Sequence, residues 1–183
     1  MAFSSLGFSK KELIIVSSAL TFIIISTLLN LQTSLRKARD AQRKSDIRSI
    51  YDALMLYNKD NGTYPLNSPD GRMLACRPHY EGEAVFYEPC DWYRDNLESY
   101  LTPILGDPRQ GQGFSYYYLS NGKHFQVYAS LESESEDEFE PSIARLSLPC
   151  GQKICNFGRS DGATPLDKSL EEYENELKEK NKN

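Results

Sequence analysis

The chain has 183 residues, a formal net charge of −5 and 39% hydrophobic residues, which allows one ordinary domain plus an accessory element and excludes a large multidomain architecture. Much of the hydrophobic content is crowded into one N-terminal stretch, so the soluble part is small. The charge is local: residues 36–48 carry six Lys/Arg against two Asp, while residues 132–140 carry six acids and no base, so each segment has to be read by itself.

From Leu13 to Leu31 the sequence LIIVSSALTFIIISTLLNL contains no charge. At 1.5 Å per residue these positions span about 28 Å, close to the hydrocarbon thickness of a bilayer. The hydroxyl side chains within it can bond their own helix or a neighbouring one. A cleaved secretory signal would have a shorter apolar region followed by a small-x-small site, and the flank Gln32–Arg36 offers a poor one. The run therefore reads as a transmembrane segment over residues 13–31.

No Gly or Pro occurs between Phe8 and Asn61. Leu35, Ala38, Ala41, Ile47, Ile50, Tyr51, Leu54 and Tyr57 recur at three- and four-residue steps, with Arg and Lys assigned to the other face. Gly62 is the first helix-stopping residue and Tyr64-Pro65 confirms the exit. One helix is expected over residues 8–60, apolar in its first half and amphipathic in its second.

Residues 61–90 read as a loop-rich connection, and Asp91–Leu105 as a short helix with Trp92, Leu97 and Leu101 inward. Asn121-Gly122 between Phe114–Ser120 and Lys123–Leu131 is a hairpin signal, because both central turn residues need positive φ. Alternation in the second run predicts Phe125, Val127 and Ala129 buried against exposed His124, Gln126 and Tyr128. Ile143–Leu148 is a candidate third strand. The acidic run Glu132–Glu140 reads as a solvated loop; a calcium role would have no ligand spacing behind it. In the tail, Thr164 followed by Pro165 and Asp167 reads as a helix start. Leu166, Leu170, Tyr173 and Leu177 form its stripe, with Glu174–Lys178 and Glu176–Lys180 as ion pairs.

Cys76, Cys90, Cys150 and Cys155 all follow the apolar run, and an even number at modest spacing fits two disulfides in an oxidising compartment. Three connectivities are open, with short loops favouring Cys76–Cys90 and Cys150–Cys155. A zinc site lacks a close Cys-x-x-Cys pair, and His79 and His124 sit at no ligand spacing. Catalysis has no visible parts: two histidines, no Ser-His-Asp or Cys-His motif and no glycine-rich phosphate loop. No cofactor and no enzyme activity are expected.

The segment Gly7-Phe8-Ser9-Lys10-Lys11-Glu12, opening an apolar helix, resembles the prepilin peptidase site of type IV pilins and type II secretion pseudopilins. The resemblance continues through Arg39–Ile50 and through Tyr57-Asn58-Lys59-Asp60-Asn61-Gly62-Thr63-Tyr64-Pro65, which looks like the major pseudopilin pattern. Asp107-Pro108 and Ser160-Asp161-Gly162 are weaker echoes. The resemblance implies an α+β pilin-like fold, one long N-terminal helix on a small antiparallel sheet. It implies a leader Met1–Gly7 removed on the cytoplasmic side, a methylated Phe8 amine, and a Glu12 that meets a neighbouring subunit during assembly. The implied organisation is a leader over 1–7, the helix over 8–60, a β-rich extracytoplasmic domain over 61–163 and a charged helix or tail over 164–183. The implied partners are further copies of the chain in a helical filament, the prepilin peptidase, assembly platform proteins of the inner membrane, and membrane lipids.

The leading expectation is a structural subunit of a type IV pilus-like or type II secretion pseudopilus filament, with a minor or DNA-uptake pilin as the variant. A different class is a membrane-tethered binding module in which Tyr116, Tyr117, Tyr118 and Tyr128 grip a peptide or glycan. Nucleic acid is disfavoured, because no aromatics interleave Arg36, Lys37, Arg39, Arg43, Lys44 and Arg48, and juxtamembrane bases more often meet lipid phosphates. Counted naively, those six bases outweigh Lys10 and Lys11, and the positive-inside rule would place the domain in the cytoplasm. The cysteines, the acids Asp40 and Asp46 among the bases, and the cleavage motif outweigh that count and put the N-terminus there instead.

Overall fold

The computed structural model describes residues 10–162 and 164–182. The fold is α+β. It comprises one long N-terminal helix and small antiparallel sheets, in the order α1 (Lys10–Asn61), β1 (Leu66–Asn67), β2 (Met73–Glu81), β3 (Ala84–Pro89), β4 (Tyr117–Ser120), β5 (Phe125–Ala129), α2 (Pro141–Ala144), β6 (Pro149–Cys150), β7 (Lys153–Ile154), β8 (Phe157–Ser160) and α3 (Leu170–Lys180). Two compact units are present, Met1–Ala38 and Arg39–Asn183, and α1 contributes to both.

Uninterrupted helix-forming residues carry α1 to Asn61. Gly62 then takes φ +74, a left-handed conformation that a side chain would resist, and its N–H closes on the Asn58 carbonyl at 2.8 Å. In the second unit the buried stripe of α1 is Asp40, Arg43, Asp46, Ile47, Ile50, Ala53 and Leu54. The expected stripe was correct from Ile47 onward and wrong before it. Ala38 and Ala41 are exposed, and charged residues take the inward positions that the 3.6-residue repeat assigns.

The apolar part of this stripe packs on the sheet β4-β5-β8. Tyr51 meets Phe125 with ring centroids 5.9 Å apart, and Tyr64 meets the same ring edge-on at 4.7 Å. Ile47, Ile50, Leu54, Tyr116, Tyr118, Phe125 and Val127 form one buried cluster. Each such side chain fully removed from water stabilises by roughly 1.5–3 kcal/mol.

Several expectations are corrected. The third strand of this sheet is β8 rather than Ile143–Leu148, which instead holds the end of α2 and a turn; Pro141 suits a helix start and supplies no strand N–H. The segment 61–90 holds a second antiparallel sheet, β1-β2-β3, hidden from periodicity by register shifts within β2. Asp91–Leu105 forms turns, with positive φ at Tyr93 and Glu98 and backbone bonds from Tyr93 N to Ile104 O and Ile104 N to Asp95 O. Trp92 and Leu97 are nevertheless buried, while Leu101 is half-buried. The hairpin turn spans four residues: Asn121 Oδ1 accepts from Lys123 N and His124 N at 3.0 and 2.8 Å, and only Gly122 of the pair has positive φ.

Strand β5 is buried on both faces, against the expected alternation, because the tail covers its second side. Gln126 Nε2 donates to the carbonyls of Pro165 and Lys168 at 2.6 and 2.8 Å, and Tyr128 Oη to that of Leu166 at 3.0 Å. The helix α3 starts later than Thr164 suggested. Ser169 caps it in a reciprocal capping box with Glu172, and Thr164 is buried. Glu174 pairs with Lys178 at 3.9 Å as read, whereas Glu176 reaches back to Lys168.

Cys76 is bonded to Cys90 and Cys150 to Cys155, with sequence separations of 14 and 5. Both bridges lie beside core clusters. Replacing Cys76 and Cys90 together by Ser is expected to lower stability by about 3 kcal/mol, from the loop entropy returned to the unfolded chain; chemical denaturation of the detergent-solubilised chain measures it, and an unchanged midpoint would refute that figure.

Candidate assembly site

Two parts of α1 carry the features that function can use. In the first unit, Leu13, Ile14, Ile15, Phe22, Ile23 and Leu29 are each more than half exposed. An 18-residue window reaches a mean hydropathy of 2.2 with none of it buried. Four of its five hydroxyls are bonded within the helix: Ser17 and Ser18 donate to the carbonyls of Ile14 and Ile15 at 3.0 and 2.9 Å, Thr21 and Thr27 to those of Ser17 and Ile23 at 2.9 and 2.8 Å. An apolar surface with most of its hydroxyls internally bonded suits hydrocarbon, which offers no replacement hydrogen bonds. The segment is long and apolar enough to cross a membrane. Glu12 lies in the first turn of α1, where the helix N-terminus favours an acid by about 0.3–1 kcal/mol. Gly7 and Phe8 lie outside the described residues.

The second part is an ion cluster that binds the second-unit portion of α1 to two distant loops. Arg43 is fully buried. Its Nε and Nη2 donate to both oxygens of Asp107 at 2.7 and 3.1 Å, and its Nη1 to Asp40 at 2.8 Å and Glu132 at 2.9 Å. Arg39 grips Glu132 through Nε and Nη2 at 2.7 and 2.8 Å, and Arg109 adds a third donor at 2.9 Å. Asp40 also accepts the backbone N–H groups of Glu132 and Ser133 at 2.9 and 3.0 Å. The guanidinium groups of Arg43 and Arg109 lie over the Phe114 ring at 4.7 and 4.9 Å, adding cation–π attraction. Lys44 pairs with Glu136 and Glu138 at 2.8 and 3.1 Å.

The reading of the acidic run as a solvated loop holds for Glu134, Asp137, Glu138 and Glu140, which are exposed, and fails at Glu132, which keeps only 9% of its side chain in water. The cluster also removes Arg39, Arg43 and Lys44 from the bases offered to lipid or nucleic acid. Hydrogen bonds from Arg39 hold the Glu132 carboxyl at about 2, with Arg43 assisting and burial opposing. Burial opposes the charge of Arg43, yet bonds and attraction from Asp107, Glu132 and Asp40 hold its pKa above the ordinary arginine value. Burial pushes the Asp46 carboxyl up, against the bond at 2.8 Å from Tyr116 Oη.

Of the four tyrosines expected to grip a ligand, three are spent inside and Tyr117 is half-buried. Tyr116, Tyr118 and Tyr128 are buried, and their hydroxyls donate to Asp46, the Pro65 carbonyl and the Leu166 carbonyl. The binding-module reading loses its surface. Among the described residues no group of three His, Cys, Asp or Glu is placed to hold a metal ion.

No family model matches the chain, and no solved structure matches it. Curated proteins do. The chain is 28% identical over 124 residues, 68% of its length and 80% of the relative's, to type II secretion system core protein G of Klebsiella michiganensis. It is 29% identical over 118 residues, 64% of its length and 69% of the relative's, to the protein of the same name in Pectobacterium carotovorum subsp. carotovorum. The chain is thus similar to two proteins named type II secretion system core protein G, and its long N-terminal helix on small antiparallel sheets is pilin-like.

Two outcomes test the ion cluster. Arg43→Met leaves Asp40 and Asp107 as buried charges without their guanidinium partner and takes one of three arginines from Glu132, and is expected to cost about 3–5 kcal/mol in denaturant unfolding; a loss below 1 kcal/mol would contradict the assignment. Because the folded pKa of Glu132 is depressed, its stabilisation is full above the ordinary carboxylate range and is lost as pH falls toward about 2. The raised Asp46 works with opposite sign, its contribution being lost as pH rises through that range. Stability profiles from pH 2 to 7 are therefore expected to show a shallower acid loss in Glu132→Gln and a steeper one in Asp46→Asn.

Proposed function

We propose that this chain is a structural subunit of a type II secretion pseudopilus, assembled into a filament through its N-terminal helix. The observation that carries the reading is the pairing of an exposed, uncharged helical segment with a small domain fixed to the same helix, in a chain similar to two proteins named as type II secretion core protein G. A lone anchor needs the apolar segment only. In this chain a buried cluster also ties the second-unit portion of the helix to its own domain. The role is structural rather than catalytic.

Several finer points belong to this proposal. The N-terminus lies in the cytoplasm and residues 61–182 lie outside it, in an oxidising compartment that suits both disulfides. The prepilin peptidase cleaves between Gly7 and Phe8, the Phe8 amine is methylated, and inner-membrane platform proteins receive the subunit. Glu12 then meets the Phe8 amine of a neighbour. Two unit charges about 4 Å apart attract by roughly 4 kcal/mol at an effective dielectric of 20, before desolvation costs, enough to favour one axial register over another.

The test couples three measurements on cells producing the chain with its secretion system. Electron microscopy of overproducing cells is expected to show filaments, and mass spectrometry of the membrane-extracted protein an N-terminus at Phe8. Glu12→Ala is expected to keep its membrane level and lose filament yield tenfold or more. A mature start near Ser34 would end the subunit reading. Unchanged filament yield would leave that reading in place and remove Glu12 from assembly.

A further inference from the structure

The β2–β3 ribbon is a surface of the second unit that its own fold leaves in water. Every residue from Arg77 to Glu88 is exposed, although the strands carry Tyr80, Val85, Phe86 and Tyr87. Tyr80 is 72% exposed and Phe86 47%. The register places Tyr80 opposite Val85 and His79 opposite Phe86, so one face presents Tyr80, Val85 and Tyr87 and the other a stacked His79–Phe86 pair, 5.7 Å between centroids. At the tip, Glu81 and Glu83 flank Gly82, whose φ is +65. A two-stranded ribbon is marginal in water without something to pack on. This one is nevertheless held in a fixed direction at its base by the Cys76–Cys90 bridge and by Arg77, which donates to Glu88, Asp95 and the Pro89 carbonyl at 2.7, 2.6 and 2.7 Å. An apolar arm with an acidic tip, fixed at its root, is preorganised for a partner.

The same unit carries a surface of matching character. On the outward side of α1, Arg48, Asp52, Leu56 and Lys59 recur at four-, four- and three-residue steps with Met55 alongside, and all five are exposed. Eleven residues of helix separate Arg48 from Lys59, about 16 Å. The ribbon from Glu83 to Tyr87 covers about 13 Å. Bases stand at the two ends of the helical strip, with apolar Met55 and Leu56 between them. Asp52 repels a ribbon tip placed at mid-strip, so the acidic tip is directed to a basic end while the aromatic face covers Leu56.

We infer that the β2–β3 ribbon of one subunit docks on the Arg48–Lys59 strip of α1 in a second copy of this chain. The two surfaces differ, so each copy offers one of each and the contact is heterologous: it repeats from copy to copy instead of closing on a pair. Pairing between two β3 edges would be isologous and would stop at two. The inference rests on the filament-subunit reading and adds to it the surface through which the domains, as distinct from the apolar helices, recognise one another.

The experiment uses the full chain in membranes of cells that assemble it. Val85→Cys and Leu56→Cys copies carrying different tags are produced together and treated with a short bis-maleimide. The mixed cross-linked dimer is expected as the main product. It should fall at least tenfold when Glu81→Lys and Glu83→Lys are added to the Val85→Cys copy, and return when Arg48→Glu and Lys59→Glu are added to the Leu56→Cys copy. A dominant Val85→Cys homodimer would overturn the inference in favour of edge pairing. So would a mixed product indifferent to charge reversal, or none at all while wild-type filaments form. Absence of wild-type filaments together with absence of any cross-link would remove the subunit reading and this inference with it.

Discussion

A guanidinium with no access to water sits among three carboxylates, and the placement of the acidic segment and the Asp107 loop against α1 follows from it. Removing Arg43 from solvent costs several kcal/mol, and each carboxylate brought beside it adds a similar cost, so such a cluster persists only when nearly every lone pair finds a donor. That condition is met by parts distant in sequence. Asp107 supplies both oxygens to Arg43, Glu132 takes donors from three arginines, and Asp40 captures two backbone N–H groups of the acidic segment. The cluster therefore acts less as a source of net stability than as a lock on geometry. Apolar residues of similar volume could replace all of it at little cost, but no single member can be removed cheaply.

Much of the architecture was legible in the sequence. The apolar run, the end of α1 at Asn61-Gly62, the hairpin and the inward face Ile47–Ile50–Leu54 all follow from local rules, because each depends on residues close together in the chain. The acidic run could not be read that way. Its partners lie about 90 residues earlier, and a charge run considered alone is normally solvated. One signal was available: Asp40 and Arg43 continue the stripe Ile47, Ile50, Leu54 toward the N-terminus at the same three- and four-residue steps. Charged residues on a buried stripe require buried counter-charges, and a dense acidic segment free of bases begins at Glu132. The second face of β5 was missed for a related reason. Alternation assumes that a sheet has one wet side, and the cover supplied by Pro165–Lys168 comes from the far end of the chain.

The tail and the ribbon show how a small domain distributes its surface. Strand β5 is enclosed by α1 on one side and by the segment after β8 on the other, with Gln126 and Tyr128 bonding tail carbonyls rather than tail side chains. Backbone recognition of this kind ties the tail down with little demand on its side chains, which are left to cap and solvate α3. The ribbon is the inverse case. Its side chains are apolar and outward, while its root is fixed by a disulfide and an arginine with three acceptors.

The distance in sequence between the two halves of the ion cluster also has a consequence in time. A ribosome adding 5–20 residues per second delivers Arg39, Arg43 and Lys44 on the order of ten seconds before Glu132 and Glu136 follow. Through that interval the three bases have no carboxylate from the acidic segment to meet, and Asp40 and Asp46 within the same run are their nearest counter-charges. Once the acidic segment arrives, the same side chains close the ion cluster. The nascent chain and the finished protein thus expose different charges after the apolar segment, and a sequence-based count describes only the first of them.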